Sequence, residues 1–407
     1  MKRSGGPVRY LFLVMLGYAV LFCQTEAGWA KEPWEGKITY TKTPAGVAGP
    51  KLAYDSFIAI ALQPRTYGCR NKQDVQKNLD NVCRLIDESM YPSVLAGGPI
   101  KLVTLSEGSI QGMWDEYSDM DQATYCRDVA ITIPGPEVDR LIEKAKQHKV
   151  YLVAQAKVVE PELMPGRYFN QAFIISPEGE IVLRHVKNLI GVIEGTTSPY
   201  DVWDVWSKKV GPNLENCYPV VKTEIGNLAV AICAETFFPE TFRALALLGA
   251  EVIVKMAWAE PCIMDGYWEV ANRARALDNV CYIVAANFGP YFTHPGVDAP
   301  YTLAGGHTMI VDYRGNIVRK VDHGSEAFVP GEINIKGLRE YRVNSPMGAM
   351  LVQMRSGLWK QIYERWPEYP KNLYLKKTYS HAQDRNVLHE EAVKKLIESG
   401  TYTSPGQ

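Results

Sequence analysis

The sequence predicts an α/β protein with mixed sheets and helices on the outside. Short apolar runs alternate with segments whose apolar residues recur at helical spacing, and two hairpins are interleaved among them. The composition is that of a folded domain, with 46% apolar and 22% charged residues over 407 positions. Basic residues number 44 against 45 acidic ones, so no excess positive charge marks a nucleic-acid binder. No self-similar period points to a solenoid or propeller.

The elements follow in order. Lys2, Arg3 and Arg9 precede an apolar run from Tyr10 to Cys23, shorter than the roughly 20 residues a membrane span needs. Small residues follow at Ala27, Gly28 and Ala30. Residues 1–30 therefore read as a signal peptide, with an N-terminal membrane anchor as the alternative, and the protein as exported, periplasmic or secreted. A lipid-attachment box at Cys23 fits poorly, because Val20, Leu21 and Phe22 stand where small residues are required. Residues 31–50, rich in Gly, Pro and Thr, form an extended lead-in. The alternating elements occupy residues 51–340.

Phe57 to Leu62 is the first core strand, and Val75, Leu79, Val82, Leu85 and Ile86 mark a helix over 72–90. Lys101 to Leu105 is a strand, Val138 to His148 a helix, and Val150 to Ala154 a strand. Phe173 to Ser176 and Ile181 to Val186 form a hairpin around Pro177-Glu178-Gly179. Leu228 to Cys233 is a buried strand, and Pro239 to Leu248 a helix with proline in its first turn, where the missing N–H is harmless. Glu251 to Lys255 is a strand, Tyr267 to Leu277 a helix, and Tyr282 to Ala286 a strand. His307 to Asp312 and Ile317 to Val321 make a second hairpin. Residues 341–407 form a C-terminal arm. It carries Trp359, Tyr363, Trp366, Tyr369, Tyr374 and Tyr379, then a helix over 387–398. An aromatic arm with no core of its own packs either on its own domain or on a partner subunit.

Seven cysteines lie beyond the first 30 residues, at 69, 83, 126, 217, 233, 262 and 281. They form no C-x-x-C pair, so neither a zinc ribbon nor a thioredoxin-like motif is expected. An oxidising compartment would allow a disulfide or two and leave at least one thiol over. The seven histidines show no H-E-x-x-H or other ligand spacing.

Three residues stand at the C-terminal ends of predicted strands: Glu107, Lys187 and Cys233. Singly, each has a plain reading: a capping carboxylate, a solvent-facing amine, a packed core thiol. Together they supply a base, a positive group and a nucleophile at the strand ends where α/β sheets bind ligands.

At these residues the sequence resembles the nitrilase, or carbon–nitrogen hydrolase, superfamily, which works through a Glu-Lys-Cys triad. Cys233-Ala-Glu-Thr-Phe-Phe238-Pro239-Glu240 resembles the nucleophile motif C-x-[DE]-x-x-[FY]-P-E. Lys187-Asn188-Leu189 resembles the lysine motif, with Val186 a departure from the usual preceding residue, and Ser106-Glu107 the glutamate motif, with Ser106 in place of proline. Arg275 to Asn279, Phe169-Asn170 and the stretch Gly306 to Gly315 match three further segments in the expected order.

The resemblance implies a four-layer αββα sandwich of the carbon–nitrogen hydrolase type, no metal or organic cofactor, and a homo-oligomer built on a dimer. It implies Glu107 as general base, Cys233 as nucleophile, and Lys187 as oxyanion stabiliser together with the Ala234 backbone N–H. Glu194, seven positions beyond Lys187, matches the family's second glutamate, which positions lysine or substrate; Glu235 is its rival.

The segment Glu107-Gly-Ser109-Ile-Gln111-Gly112-Met113 is similar to the aliphatic amidase and formamidase branch. Against that, Cys-Ala-Glu differs from the C-D-D of those amidases. The long insert around Trp203 and Trp206 either lines the pocket or packs on the surface, and Trp258 is a further pocket candidate.

The leading expectation is an amidohydrolase that releases ammonia from a small amide through a cysteine thioester. A nitrilase or N-carbamoyl amino acid hydrolase is the nearest alternative. A catalytically idle binding or scaffold member is the alternative of another class, against which the intact set of three residues argues. No G-x-S-x-G elbow supports a serine hydrolase.

Overall fold

The structure, a computed structural model, describes residues 40–41, 47–91, 97–191, 193–258, 266–300 and 305–406. The expected signal peptide, most of the lead-in and Cys262 lie outside the described residues.

The strands in chain order are β1 (Ser56–Gln63), β2 (Thr66–Tyr67), β3 (Ile100–Thr104), β4 (Tyr151–Val159), β5 (Tyr168–Ile175), β6 (Ile181–Val186) and β7 (Val220–Thr223). They continue as β8 (Gly226–Ile232), β9 (Val252–Met256), β10 (Tyr282–Ala286), β11 (Tyr291–Phe292), β12 (Met309–Val311), β13 (Ile317–Lys320) and β14 (Ala327–Asn334). One six-stranded sheet runs β14-β1-β3-β4-β5-β6 and the other β13-β12-β10-β9-β8-β7, while β2 and β11 pair separately. Each large sheet has a parallel centre and antiparallel edges: β1, β3 and β4 are parallel, as are β8, β9 and β10.

Side-chain alternation stacks the layers. Leu228, Val230 and Ile232 of β8 join the main core with residues of the first sheet. Their neighbours Ala229 and Ala231 face the other way, onto Phe242, Leu245, Trp268 and Ala276 of two outer helices. Ile253, Ile283 and Ala285 repeat this on β9 and β10. The helices Pro239–Leu247 and Tyr267–Asn279 thus cover one sheet. The helices Lys72–Ser89 and Pro136–His148 cover the other. The result is the expected αββα sandwich. The helix Lys72–Ser89 starts where Asn71 accepts hydrogen bonds from the N–H groups of Gln73 and Asp74.

Several sequence expectations need correction. β4 continues five residues past Ala154, and β5 begins five residues before Phe173, because both carry polar residues that point into a site. β14 contains Pro330 and Gly331 and is not recognisable as a strand from composition. Proline is tolerated there because β14 is an edge strand. A Cβ on Gly331 would come within 2.8 Å of Ile310 Cδ1, so glycine allows the two sheets to approach. The helix Ile335–Asn344 crosses the expected boundary at residue 340 and buries Ile335 and Leu338 in the main core. No disulfide joins any two of the six described cysteines.

The C-terminal arm packs on its own chain in its second half. Leu373, Tyr374 and Tyr379 bury against Tyr40, Phe169, Val186, Val202 and Trp206. Trp206 of the insert is thereby buried under the arm, neither lining a pocket nor lying on the surface. The helix Ser356–Tyr363 leaves Leu358, Trp359 and Ile362 exposed. Among the described residues no helix is long and apolar enough to cross a membrane.

Candidate active site

β3, β6 and β8 deliver Glu107, Lys187 and Cys233 to one place. Lys187 is fully buried, and its Nζ donates to Glu107 Oε1 at 3.1 Å and to Glu194 Oε1 at 2.5 Å. Asn170 of β5 donates its Nδ2–H to Glu107 at 2.8 Å. The Asn170 side-chain oxygen accepts in turn from Gln155 Nε2 at 2.7 Å, and Gln155 Oε1 accepts from the Gly108 backbone N–H at 2.7 Å. The Glu107 carboxylate is therefore fixed through two strands.

Burial raises the Glu107 pKa; the Lys187 ammonium pulls it back, and the Glu194 charge adds to the rise. Lys187 is held well above its ordinary value. Burial alone would lower it, but Glu107, Glu194 and Cys233 all favour its charged form. The Cys233 sulfur thus lies within electrostatic reach of the ammonium.

Cys233 follows β8 with φ +42°, a left-handed conformation costly for a residue with a Cβ. The turn after it holds this geometry. Glu235 Oε2 accepts from the Ile232 N–H at 2.8 Å and from His185 Nε2 at 2.8 Å, and its Oε1 accepts from the Asn188 N–H at 2.9 Å. Glu235 therefore ties the cysteine turn to the residue after Lys187. It faces His185, whereas Glu194 lies beside the lysine.

Burial pushes the Glu235 pKa up, but His185 and the two N–H donors outweigh it and leave the carboxyl below its ordinary value of 4.5. Its stabilisation is present above that ordinary value and is lost as the pH falls through the lower folded value. Glu235→Ala is expected to cost at least about 3 kcal/mol, since each of three orphaned donors costs about 1–3 kcal/mol. Urea midpoints measured from pH 7 down to 3 check this, and the acid-side slope should weaken in the variant.

Trp258 is buried, and its carbonyl accepts from Cys233 Sγ at 3.5 Å. Its ring meets Tyr117, Phe288 and Tyr291 at centroid distances of 5.3, 5.7 and 5.5 Å. Ala234, next to the thiol, is buried in the turn. All six sequence-nominated residues thus fall in one neighbourhood.

A second charged cluster beside it was not legible in the sequence. Lys157 Nζ donates to both Asp115 oxygens at 2.6 and 2.7 Å and to Glu116 at 3.1 Å, and Tyr168 donates its hydroxyl to Asp115 at 2.5 Å. Burial, countered by Lys157 and reinforced by Glu194, pushes Glu116 up to about 8. The one available signal was a set of polar residues, Gln155, Lys157 and Asn170, inside strands that are otherwise apolar. Gln111, noted in the amidase-like segment, clamps the Lys157 backbone, donating to its carbonyl and accepting from its N–H. Among the described residues no group of three or more His, Cys, Asp or Glu side chains could hold a metal ion.

Comparison with known proteins gives a family model, described as carbon-nitrogen hydrolase, that matches residues 59–343. An omega-amidase of Mus musculus is 28% identical over 238 residues, which span 58% of this chain and 79% of that protein. A formamidase of Bacillus cereus is 27% identical over 238 residues, 58% of this chain and 63% of its own length. A carbon-nitrogen hydrolase structure from Helicobacter pylori superposes with TM-score 0.58 at 18% identity, covering 76% of this chain and 99% of that one. An amidase double mutant from Nesterenkonia sp., in complex with acrylamide, superposes with TM-score 0.53 at 18% identity, covering 77% and 100%.

Proposed function

This chain belongs to the carbon–nitrogen hydrolase family, and we propose that it hydrolyses a small linear amide, releasing ammonia through a thioester on Cys233. What carries this reading is the buried Lys187 ammonium, hydrogen-bonded to Glu107 and within electrostatic reach of a thiol on a strained turn. The amidase and formamidase names of its relatives support the substrate class.

The steps follow from the groups. Glu107 takes the thiol proton as Cys233 Sγ bonds to the carbonyl carbon. The oxyanion that forms is stabilised by Lys187 and the Ala234 N–H. On collapse the C–N bond breaks, Glu107 returns the proton to nitrogen, and ammonia leaves. Water then attacks the thioester with Glu107 as base. The C–S bond breaks, the acid departs and the thiol recovers its proton from Glu107. The Glu107 pKa, raised by burial, favours a group that both takes and gives a proton. Glu194 holds the lysine between the two carboxylates.

Ammonia release from acrylamide, formamide, an aliphatic nitrile and an N-carbamoyl amino acid tests the reading. Turnover of an amide is expected. Turnover of the nitrile or the carbamoyl compound alone would replace the substrate class, and a Cys233 inert both to the whole panel and to iodoacetamide would favour a non-catalytic binding role. We infer further that the protein acts as a homo-oligomer outside the cytoplasm, which its mass in solution and its cell fractionation would test.

A further inference from the structure

The family's pattern ends at residue 343, yet a residue beyond it reaches the site. Arg385, from the C-terminal arm, donates through Nη2 to the carbonyl of Gly191 at 3.1 Å and to that of Glu194 at 2.5 Å. Between those carbonyls the chain makes a tight turn. The Glu194 N–H donates to the Gly191 carbonyl at 3.2 Å, and the Gly191 N–H donates to Glu194 Oε1 at 2.9 Å. That same oxygen accepts from Lys187 Nζ. A Cβ on Gly191 would come within 2.8 Å of it, so the fit is close. A continuous chain of hydrogen bonds thus runs from Arg385 through the turn and the Glu194 carboxylate to Lys187 and Glu107.

The rest of the arm holds Arg385 in place. Asn372 accepts from the Asp204 N–H and donates its own N–H to the Tyr200 carbonyl. Arg167 donates to the Tyr379 carbonyl at 2.6 Å, stacks over the Tyr374 ring at 3.8 Å, and donates to Gly195 and Thr197 beyond the Glu194 turn. His381 Nδ1 donates to the Asp119 carbonyl at 2.8 Å, and the Ala382 N–H donates to the Asp119 side chain at 3.2 Å. Asp119 caps the short helix that carries Asp115 and Glu116. Residues 372–385 therefore tie the Glu194 segment to the short helix that carries Asp115 and Glu116.

We propose that Arg385 is a positioning residue for the reaction, acting through the Gly191–Glu194 turn to set the Lys187 ammonium between Glu107 and Cys233. A planar guanidinium can aim two N–H groups from one nitrogen at two carbonyls, which suits arginine better than lysine to this grip. The kinetic part of the proposal rests on the amidase reading; the positioning of the lysine does not.

The experiment compares the full chain with Arg385→Gln and Arg385→Lys by three readouts. For the amide, kcat should fall by up to about 10²-fold in Arg385→Gln with little change in KM, since a small misplacement near the chemistry costs that much. Arg385→Lys should restore part of it. The rate of Cys233 alkylation by iodoacetamide, followed on its own peptide by mass spectrometry, needs no substrate and should fall in the same order. Hydrogen exchange should speed up at residues 190–197 and stay unchanged in the helix Lys72–Ser89. An alkylation rate equal to the parent's in both variants, or faster exchange confined to residues 372–386, overturns the proposal. A parent that alkylates at Cys233 but turns over no amide overturns the substrate reading alone. If Arg385→Gln does not fold, Arg385→Lys decides, because it keeps the charge and alters only the grip.

Discussion

Cys233→Ala is expected to fold as the parent does and to release no measurable ammonia from any amide the parent hydrolyses. Removing a covalent nucleophile costs about 10⁶-fold in kcat in a well-studied protease of similar logic, beyond the range of an ammonia assay. The fold should tolerate the change. Alanine keeps the Cβ, so the left-handed strain at φ +42° is the same in parent and variant. The change removes one sulfur, including its 3.5 Å contact with the Trp258 carbonyl. Cys233→Gly separates strain from chemistry. Glycine adopts this conformation without the Cβ penalty of about 1–2 kcal/mol, offset in part by the extra chain entropy that glycine loses on folding. Cys233→Gly should therefore be equally inactive and melt above Cys233→Ala. Cys126, another half-buried thiol, is the control, and Cys126→Ala should keep full turnover. A Cys233→Ala enzyme that still released ammonia would remove the thioester route.

The order in stability matters because it says where the fold spends its excess. A residue with φ +42° at the end of β8 is kept there by Glu235, which gathers the Ile232 N–H, the Asn188 N–H and His185 onto one buried carboxylate. The sequence motif places a glutamate two residues after the cysteine but does not say what it does. The sequence reading favours Glu194 as the second carboxylate, with Glu235 a rival read as part of the nucleophile motif. The geometry separates them, because Glu194 meets the lysine and Glu235 meets the histidine.

Elements whose side chains face only apolar neighbours were legible in the sequence. β8 and β10 are short apolar runs, and the helix Lys72–Ser89 shows its buried stripe plainly. The misread ends are those where a strand enters the site. Gln155 and Lys157 on β4, and Asn170 on β5, break the apolar pattern because they bond one another or the Gly108 N–H, Asp115 and Glu107. β14 was hidden by the Pro330-Gly331 pair, which an edge strand and a close sheet crossing accommodate. Glu107, Lys187 and Cys233 could be found because each follows a strand and stands in a motif that resembles the family's. Arg385 could not, since it stands 191 residues from the carbonyl it grips, in a segment whose aromatic residues describe only that it packs.

Lys187→Met is expected to produce the largest loss of stability of any single change in the site, in addition to a loss of turnover. In the parent, the folded pKa of Lys187 lies well above 10.5. Its stabilisation is therefore fully present below that ordinary value, and it is lost only as the pH rises through the still higher folded value. Methionine fills much of the volume but leaves Glu107 and Glu194 buried without their shared cation. Breaking a buried ion pair by removing one partner costs about 3–5 kcal/mol. The pH dependence should be diagnostic. Glu107, deprived of the ammonium that offsets its burial, will hold its proton in the folded state to higher pH than when unfolded. Such a group favours folding while protonated and ceases to do so as the pH climbs past its ordinary value of 4.5. The deficit against the parent should thus be small near pH 4 and grow toward pH 8 in urea titrations. Lys187→Met with Glu194→Gln removes one of the two stranded charges and should recover part of the stability without recovering any ammonia release. That recovery would distinguish an electrostatic role of the lysine from a packing one, since a packing defect would be indifferent to Glu194 and to pH.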